Sequence, residues 1–309
     1  MFRKLSFGFV TLLLALSACG PVLTPAPTPA SISLTDGLGR AVSLAHPAQR
    51  VVSLAPSNTE ILFALGAGSQ TVGRDEFSDY PAAAKALPGV GGSLGNYNLE
   101  QITALKPDLV LAAEINTPEQ VKALTDLGQT VYYLSNPKTL DDLYANIGIV
   151  AQLTGREQEA AALVSSLKAR VAAVDAKLAP ISSRPAVFYE IDASDPAKPY
   201  SAGPGTFVDL LIARAGGANL VSLAGIKDAY PQLSLEQVVS SNPAIILLGD
   251  AAYGTTPESV ARRPGWGSIS AVTSQQVFPF DDNLVSRPGP RLVDGLEALA
   301  KIFHPELFK

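Results

Sequence analysis

Residues 156–179 read REQEAAALVSSLKARVAAVDAKLA, and the rest of the chain is organised around them. Apolar side chains recur at Ala160, Leu163, Val164, Leu167, Val171, Val174 and Leu178, steps of three and four that draw one stripe down a helix. Gly155 ends a preceding helix and Pro180 stops this one. About 24 residues at roughly 1.5 Å each make a rod of about 36 Å, long enough to cross a lobe. It stands at the middle of the chain with similar patterns on either side, so it reads as a connector between two lobes.

On the amino-terminal side, residues 50–54 (RVVSL) form a strand that Pro56 breaks. Ser57-Asn58-Thr59-Glu60 then has capping-box spacing ahead of an apolar helix over 61–65, which Gly66 ends. Val72-Gly73 starts a second strand, and residues 109–112 form a third whose continuous apolar run suits a buried parallel sheet. Thr117-Pro118-Glu119-Gln120 opens another helix, with proline at its first position, and 130–134 is a fourth strand. Strand and helix alternate, which predicts an α/β lobe with binding loops at the carboxyl ends of parallel strands.

Beyond the rod the alternation resumes. Residues 186–191 read as a strand of alternating pattern and 207–215 as a helix closed by Gly216-Gly217. Residues 245–248 and 277–280 are strands, and 291–303 is the last helix. The two halves also share a motif. Asn98-Leu99-Glu100-Gln101-Ile102 leads to Pro107 and the apolar Leu109-Val110-Leu111. Ser234-Leu235-Glu236-Gln237-Val238 leads to Pro243 and Ile245-Ile246-Leu247, with the proline at the same distance from the glutamate. The repeat predicts a bilobed, pseudo-symmetric protein whose ligand site is the cleft between the lobes.

The front of the chain is not fold. Arg3 and Lys4 precede an apolar run over 7–16 that is short for a membrane span. The run ends in Leu16-Ser17-Ala18-Cys19, which resembles a bacterial lipobox with Cys19 as the lipidated residue. Cys19 is the only cysteine, so no disulfide forms within the chain. Pro21, Pro25, Pro27 and Pro29 make residues 20–31 an extended tether. These features predict a protein held by lipid at a membrane surface outside the cytoplasm. The 309 residues are 47% hydrophobic and 17% charged, enough apolar material for two cores. A formal net charge of −5 weighs against a nucleic-acid partner.

One motif points elsewhere. Gly91-Gly92-Ser93-Leu94-Gly95 fits the G-x-S-x-G elbow of α/β-hydrolases, and His304 lies late in the chain as that order of residues requires. The elbow needs a buried strand directly before the serine, and here Pro88 and Gly89 stand in its place.

The run RVVSLAPSNTEILFALGAG, the SDYP of residues 78–81 and NLEQITALKPDLVLA resemble the solute-binding proteins of ABC importers for cobalamin, haem and iron–siderophores. The resemblance covers residues 32 to about 304 and is nearest to the cobalamin binders. It implies two Rossmann-like lobes with parallel sheets, joined by one long backbone helix, with the ligand cleft between them. The divisions are then a signal peptide over 1–18, a tether over 19–31, lobes over 32–153 and 181–309, and the connecting helix over 154–180. Phe77 corresponds to an aromatic that cobalamin binders place before SDYP, and Tyr230 to one just before the second glutamate helix. Residues 283–287 correspond to a loop that closes on the ligand from the second lobe. Leu94 and Ala113 stand where cobalamin binders often carry tryptophans, and Trp266 lies elsewhere. The resemblance further implies that Glu100 and Glu236 meet arginines on the two subunits of a permease dimer.

Ligand chemistry narrows the choice within that class. A haem site would want a tyrosine or histidine ligand to iron, and the two histidines are badly placed for it, His46 preceding the first lobe's first strand and His304 following the last helix. Haem binders of this group carry a tyrosine where this chain has Gly92. Anionic siderophores need converging cations, for which Arg74, Arg287, Arg262 and Arg263 are candidates. Corrinoids need aromatic walls and a few hydrogen-bonding groups. Phe77, Tyr97, Tyr189, Tyr200, Tyr230 and Tyr253 can supply the first, and Glu114, Asn283 and Arg287 the second. The expectation is a monomeric, lipid-anchored importer protein that binds cobalamin, with no cofactor, metal or catalytic residue. A ferric-siderophore or haem binder, a secreted hydrolase, and a surface sensor or adhesion module are the alternatives.

Overall fold

The computed structural model describes residue 2 and residues 31–92 and 95–309. The expected signal peptide, Cys19, the tether up to residue 30, Ser93 and Leu94 lie outside the described residues. The fold begins with an antiparallel hairpin, β1 (Ile32–Thr35) and β2 (Ala41–Leu44). Then come β3 (Val51–Ser53), α1 (Pro56–Ala64), β4 (Thr71–Arg74), α2 (Leu99–Ala104), β5 (Leu109–Ala113), α3 (Pro118–Asp126) and β6 (Val131–Leu134). Their sheet is wholly parallel, in the order β4-β3-β5-β6.

Two long helices follow, α4 (Leu140–Thr154) and α5 (Glu157–Leu178). The second half holds β7 (Ala186–Asp192), β8 (Tyr200–Ser201), α6 (Phe207–Arg214), β9 (Ala218–Asn219), α7 (Leu220–Leu223), α8 (Leu235–Ser241) and β10 (Ile245–Leu248). It ends with α9 (Pro257–Ala261), α10 (Ser270–Thr273), β11 (Val277–Pro279), α11 (Asn283–Ser286) and α12 (Leu292–Phe303). Here β7 is central, parallel to β9 on one side and to β10 and then β11 on the other. The short β8 pairs with β7 antiparallel.

The long helix takes its place through its stripe. Leu167, Val171, Val174 and Leu178 of α5 are buried in one core with Ile147 and Val150 of α4 and Leu296 and Leu299 of α12. The far face of each sheet has a separate core, around Val52, Val110 and Tyr133 in the first and Phe188, Ile246 and Trp266 in the second. Covering on both faces explains one departure from expectation. The strand at Ala186–Asp192 does not alternate, because Val187, Phe188, Tyr189 and Glu190 are all buried.

A second departure concerns α1. Ala55 is its N-cap, no side chain caps it, and Pro56 takes the first position. Ser57, Asn58, Thr59 and Glu60 therefore lie inside the first turns and are all buried, so they form no capping box. Their polar groups make tertiary contacts instead: Asn58 Nδ2 donates to the Leu111 carbonyl at 3.1 Å, and the Thr59 hydroxyl to Ser53 Oγ at 2.8 Å.

Candidate functional site

In both sheets the chain continues from the first strand to one side and later returns to the other, so the loops after β3 and β5, and after β7 and β10, part from each other. A crevice opens at such a switch point. In the first lobe it is a cavity of about 450 Å³ lined by Pro56, Phe77, Ala113, Glu114 and Ile115, with Arg287 reaching in from the second lobe. In the second it is a cavity of about 690 Å³ lined by Asp192, Ser194, Asp250, Tyr253, Thr255 and Ser259.

The first-lobe wall is apolar and held from behind. Phe77 is 54% exposed and Ile115 68%. The buried Asp75 carboxylate accepts the Phe77 backbone N–H at 2.9 Å and the Ser78 hydroxyl, and Ser78 Oγ is 2.8 Å from the Thr59 hydroxyl. Burial pushes the Asp75 carboxyl above the usual range, against the pull of those hydrogen bonds. Behind Ile115, the Asn116 Oδ1 accepts the Ala113 N–H at 2.8 Å, while its Nδ2 donates to the Tyr97 hydroxyl at 2.7 Å. Tyr97 in turn donates to the Leu54 carbonyl at 3.0 Å. Burial pushes its phenol up to about 12. Tyr97, expected at the ligand, is thus a strut behind the wall and lines neither cavity.

Further expected ligand residues fall in different places. Tyr189 is fully buried and donates to Asp282 Oδ1 at 2.6 Å, because it sits mid-strand on β7 and faces the core. Burial, foremost, and the neighbouring aspartates raise its phenol well above the usual range. Asn283 is tied within its own turn, donating to Asp281 Oδ1 at 2.8 Å. Tyr200 and Tyr230 are well exposed beside the β8 edge, where Tyr200 bridges to Gln232, and line neither cavity. Phe77, Glu114, Tyr253 and Arg287 do line the cavities, and Tyr253 is 92% exposed.

Sequence reasoning named Arg263 and Arg287 as candidate cations but missed the carboxylates that engage them, and missed the Glu60–Arg291 pair altogether. Beside the second cavity the fully buried Glu190 accepts from Nη1 and Nη2 of Arg263, at 2.5 and 2.8 Å, and Arg263 lies over the Trp266 ring at 4.7 Å. Burial pushes Glu190 up more than Arg263 pulls it down. Between the lobes, Arg291 holds Glu60 and also stands over the Tyr80 ring at 3.9 Å. Arg287 pairs with Asp79 at 2.6 Å. Burial pushes Asp79 up, but the Arg287 hydrogen bond and charge outweigh it and hold the carboxyl below its ordinary value. The available signal was Pro290-Arg291 directly after the expected closing loop.

Glu100 and Glu236 occupy matching places. Each lies in the first turn of its helix, after Asn98 on α2 and Ser234 on α8, and each is exposed. Both helices run directly into a strand of the parallel sheet, so both first turns lie at the cleft end of their lobes. Among the described residues neither carboxylate has an ion-pair partner.

The hydrolase alternative finds no support in the surroundings of its motif. Gly89 makes only an isolated bridge to Arg74, so no strand leads into residues 91–95. His304 is buried in the second lobe with Nε2 at 3.1 Å from the Gly216 carbonyl. Among the described residues, no helix is long and apolar enough to cross a membrane, and no group of three or more His, Cys, Asp or Glu could hold a metal ion.

The profile of the periplasmic binding protein family matches residues 51–284. The ABC transporter substrate-binding lipoprotein YvrC of Bacillus subtilis is 32% identical over 281 residues, covering 90% of this chain and 87% of that one. A cobalamin-binding protein of Halobacterium salinarum is 31% identical over 274 residues, covering 87% of this chain and 73% of its own. Among solved structures, the periplasmic haem-binding protein RhuT from Roseiflexus sp. RS-1 superposes with a TM-score of 0.75 at 30% identity, over 84% of this chain and 99% of the other.

Proposed function

We propose that this chain, which belongs to the periplasmic binding protein family and is the substrate-binding protein of an ABC importer, captures a corrinoid, cobalamin foremost. Proteins of this family bind solutes and are not enzymes. The chain works outside the cytoplasm, taking up a small ligand of the cobalamin, haem and iron-chelate class and delivering it to a permease.

The observation that carries the corrinoid reading is the first-lobe wall. Phe77 and Ile115 are each more than half exposed, yet both loops are fixed from below by Asp75 and Asn116. Rigid apolar surface at a cavity rim costs solvation unless a flat, partly apolar ligand covers it. Glu114 and Arg287 at the same rim supply hydrogen-bonding groups for polar substituents. The cobalamin-binding relative supports the same choice. Two further features complete the reading: Cys19 carries a lipid anchor, and Glu100 and Glu236 dock on the permease.

A haem or iron-chelate ligand is the second reading, favoured by the likeness to the haem-binding structure. Calorimetric titration with cobalamin, haem and a ferric siderophore separates the two. Cobalamin is expected to bind tightest; tighter binding of haem or the ferric chelate would overturn the corrinoid assignment.

A further inference from the structure

Helix α1, of nine residues, begins in the wall of the first-lobe cavity, which Ala55, Pro56 and Ser57 help to line. Ala55 at its N-cap offers no side chain to cap it. Pro56 has no N–H, and the N–H groups of Ser57 and Asn58 donate to no described residue. Unpaired N–H groups and aligned peptide dipoles give such a helix end partial positive charge.

Ser57 adds a side chain to that end. The residue is 7% exposed, and among the described residues its hydroxyl has no hydrogen-bond partner. The sealed side-chain atoms left without a partner there are Asn58 Oδ1 and Asp250 Oδ1. Ser57 Oγ is not sealed, so it keeps an opening, and the residue opens on the cavity. Helical side chains also lean towards the helix N-terminus, which here is the cavity. A hydroxyl so nearly buried is costly without a partner, and an acceptor from outside satisfies it.

The second lobe brings a cation to the same place. Arg287 lines the cavity with its side chain 16% exposed. Its Nη1 donates to Asp79 at 2.6 Å and stands 3.8 Å from Glu60 Oε1, one turn along α1 from Ser57. Its Nε and Nη2 donate to no described residue. The surrounding carboxylates leave room for an anion. Asp79 is paired with Arg287 and Glu60 with Arg291, while Asp75 is buried behind the Phe77 loop. Glu114 is exposed at the rim, where solvent and salt screen it.

We propose that the start of α1 and Arg287 form an oxyanion subsite, in which the Ser57 N–H and hydroxyl from the first lobe and Arg287 from the second hold one phosphate or carboxylate group of the ligand. The proposal rests on the reading that a macrocyclic ligand fills the cleft, and it names the substituent that the first cavity recognises. An oxyanion accepts from all of these donors and meets the charge of Arg287, whereas a neutral substituent brings no charge to either. Because the donors come from both lobes, the same contact draws the lobes together over the ligand.

The test compares ligands that differ in that one group. Calorimetry is run with cobinamide phosphate against cobinamide, and with haem against amidated haem. Wild type is expected to bind the oxyanion member of whichever pair it takes at least about tenfold tighter, the effect of one net charge-assisted hydrogen bond. In Ser57→Asp a carboxylate occupies the subsite, and the ratio should fall to about one or below. An acid in a first turn suits a helix, and thermal melting confirms the fold. Should that variant not fold, Ser57→Ala and Arg287→Gln should each reduce the ratio in part.

Equal affinity within a pair in wild type, or an unchanged ratio in the folded variants, overturns the subsite. Binding of the haem pair without the corrinoid pair overturns the corrinoid reading, while the ratio within the haem pair still decides the subsite. Binding of none of the four overturns both.

Discussion

Arg291 of the second lobe holds the Glu60 carboxylate of the first through two of its guanidinium nitrogens, Nε at 3.0 Å and Nη2 at 2.6 Å. The side chains are 13% and 2% exposed, and the pair borders a cavity of about 310 Å³ shared with Leu163 and Leu167 of the long helix. It thus ties the lobes together close to their connector. Burial pushes Glu60 above the usual range despite the pull of Arg291, so the pairing offsets only part of a substantial desolvation cost. Glu60→Gln should lower stability by about 3 kcal/mol, the lower end of what breaking a buried pair costs. The Glu60→Leu/Arg291→Met double variant should lose less than Glu60→Gln alone, because it leaves no uncompensated charge. Urea unfolding of the three proteins checks the order, and a double variant worse than the single one would contradict it.

The Phe77 loop leads to a pH prediction. Asp75 is 2% exposed and its folded-state carboxyl lies above the value of 3.8 that it has when free, with burial as the largest cause. For an acid whose folded value is raised, the stabilising contribution is complete below the free value and is lost as pH rises through the folded one. The advantage in melting temperature of wild type over Asp75→Asn should therefore shrink between pH 4 and pH 7. An advantage that grows over that range would show that Asp75's hydrogen bonds outweigh its desolvation.

Much of this architecture was legible because it rests on local, repetitive signals. The stripe from Ala160 to Leu178 and the Thr117 capping box depend on spacing within one turn or two, and both reappear in the structure. The repeat proved deeper than its letters. Lys106 and Asn242, each just before its proline, share a left-handed backbone with φ of 48° and 43°. The cleft was less legible, since its order comes from pairings between distant residues. Glu60 looked like a capping residue because its partner lies 231 positions away. Tyr189 and Tyr97 were chosen as aromatics alone, and nothing in their neighbourhood announces that one is sealed in a core and the other braces a loop. Ile115, Asp192 and Asp250 were missed because an isoleucine or aspartate at a strand end has no local signature of its own.

Aromatic contributions to binding should be unequal. Phe77 lines the first cavity, whereas Tyr230 lines neither. If the ligand stacks on the wall, Phe77→Ala should cost about 1–3 kcal/mol of binding energy, the loss typical of an aromatic anchor. Tyr230→Ala should cost less. Calorimetry with cobalamin reads both, and a larger loss at Tyr230 would shift the ligand towards the β8 edge.

For the amino terminus the expected result is simple. Cys19→Ser should abolish incorporation of labelled fatty acid and release the protein from the membrane fraction. Continued labelling of the serine variant would place the anchor elsewhere or remove it from the account.

The docking surface is tested at Glu100 and Glu236. A minimal account makes them favourable charges at helix N-termini, each contributing roughly 0.3–1 kcal/mol. That account does not require both to be exposed, both to lack an ion-pair partner among the described residues, or both to lie at the cleft end of their lobes. Two carboxylates so placed can meet two cations on a two-subunit permease, steering approach and fixing register. If helix charge is their only role, Glu100→Gln/Glu236→Gln should lower melting temperature slightly and leave uptake unchanged. If they dock, Glu100→Arg/Glu236→Arg should bind ligand as wild type does, while uptake through the cognate permease collapses. The glutamates line neither cavity, so unchanged affinity is the internal control that separates docking from damage to the cleft. Normal uptake by that folded, ligand-competent arginine variant would return both residues to the stabilisation of their helices.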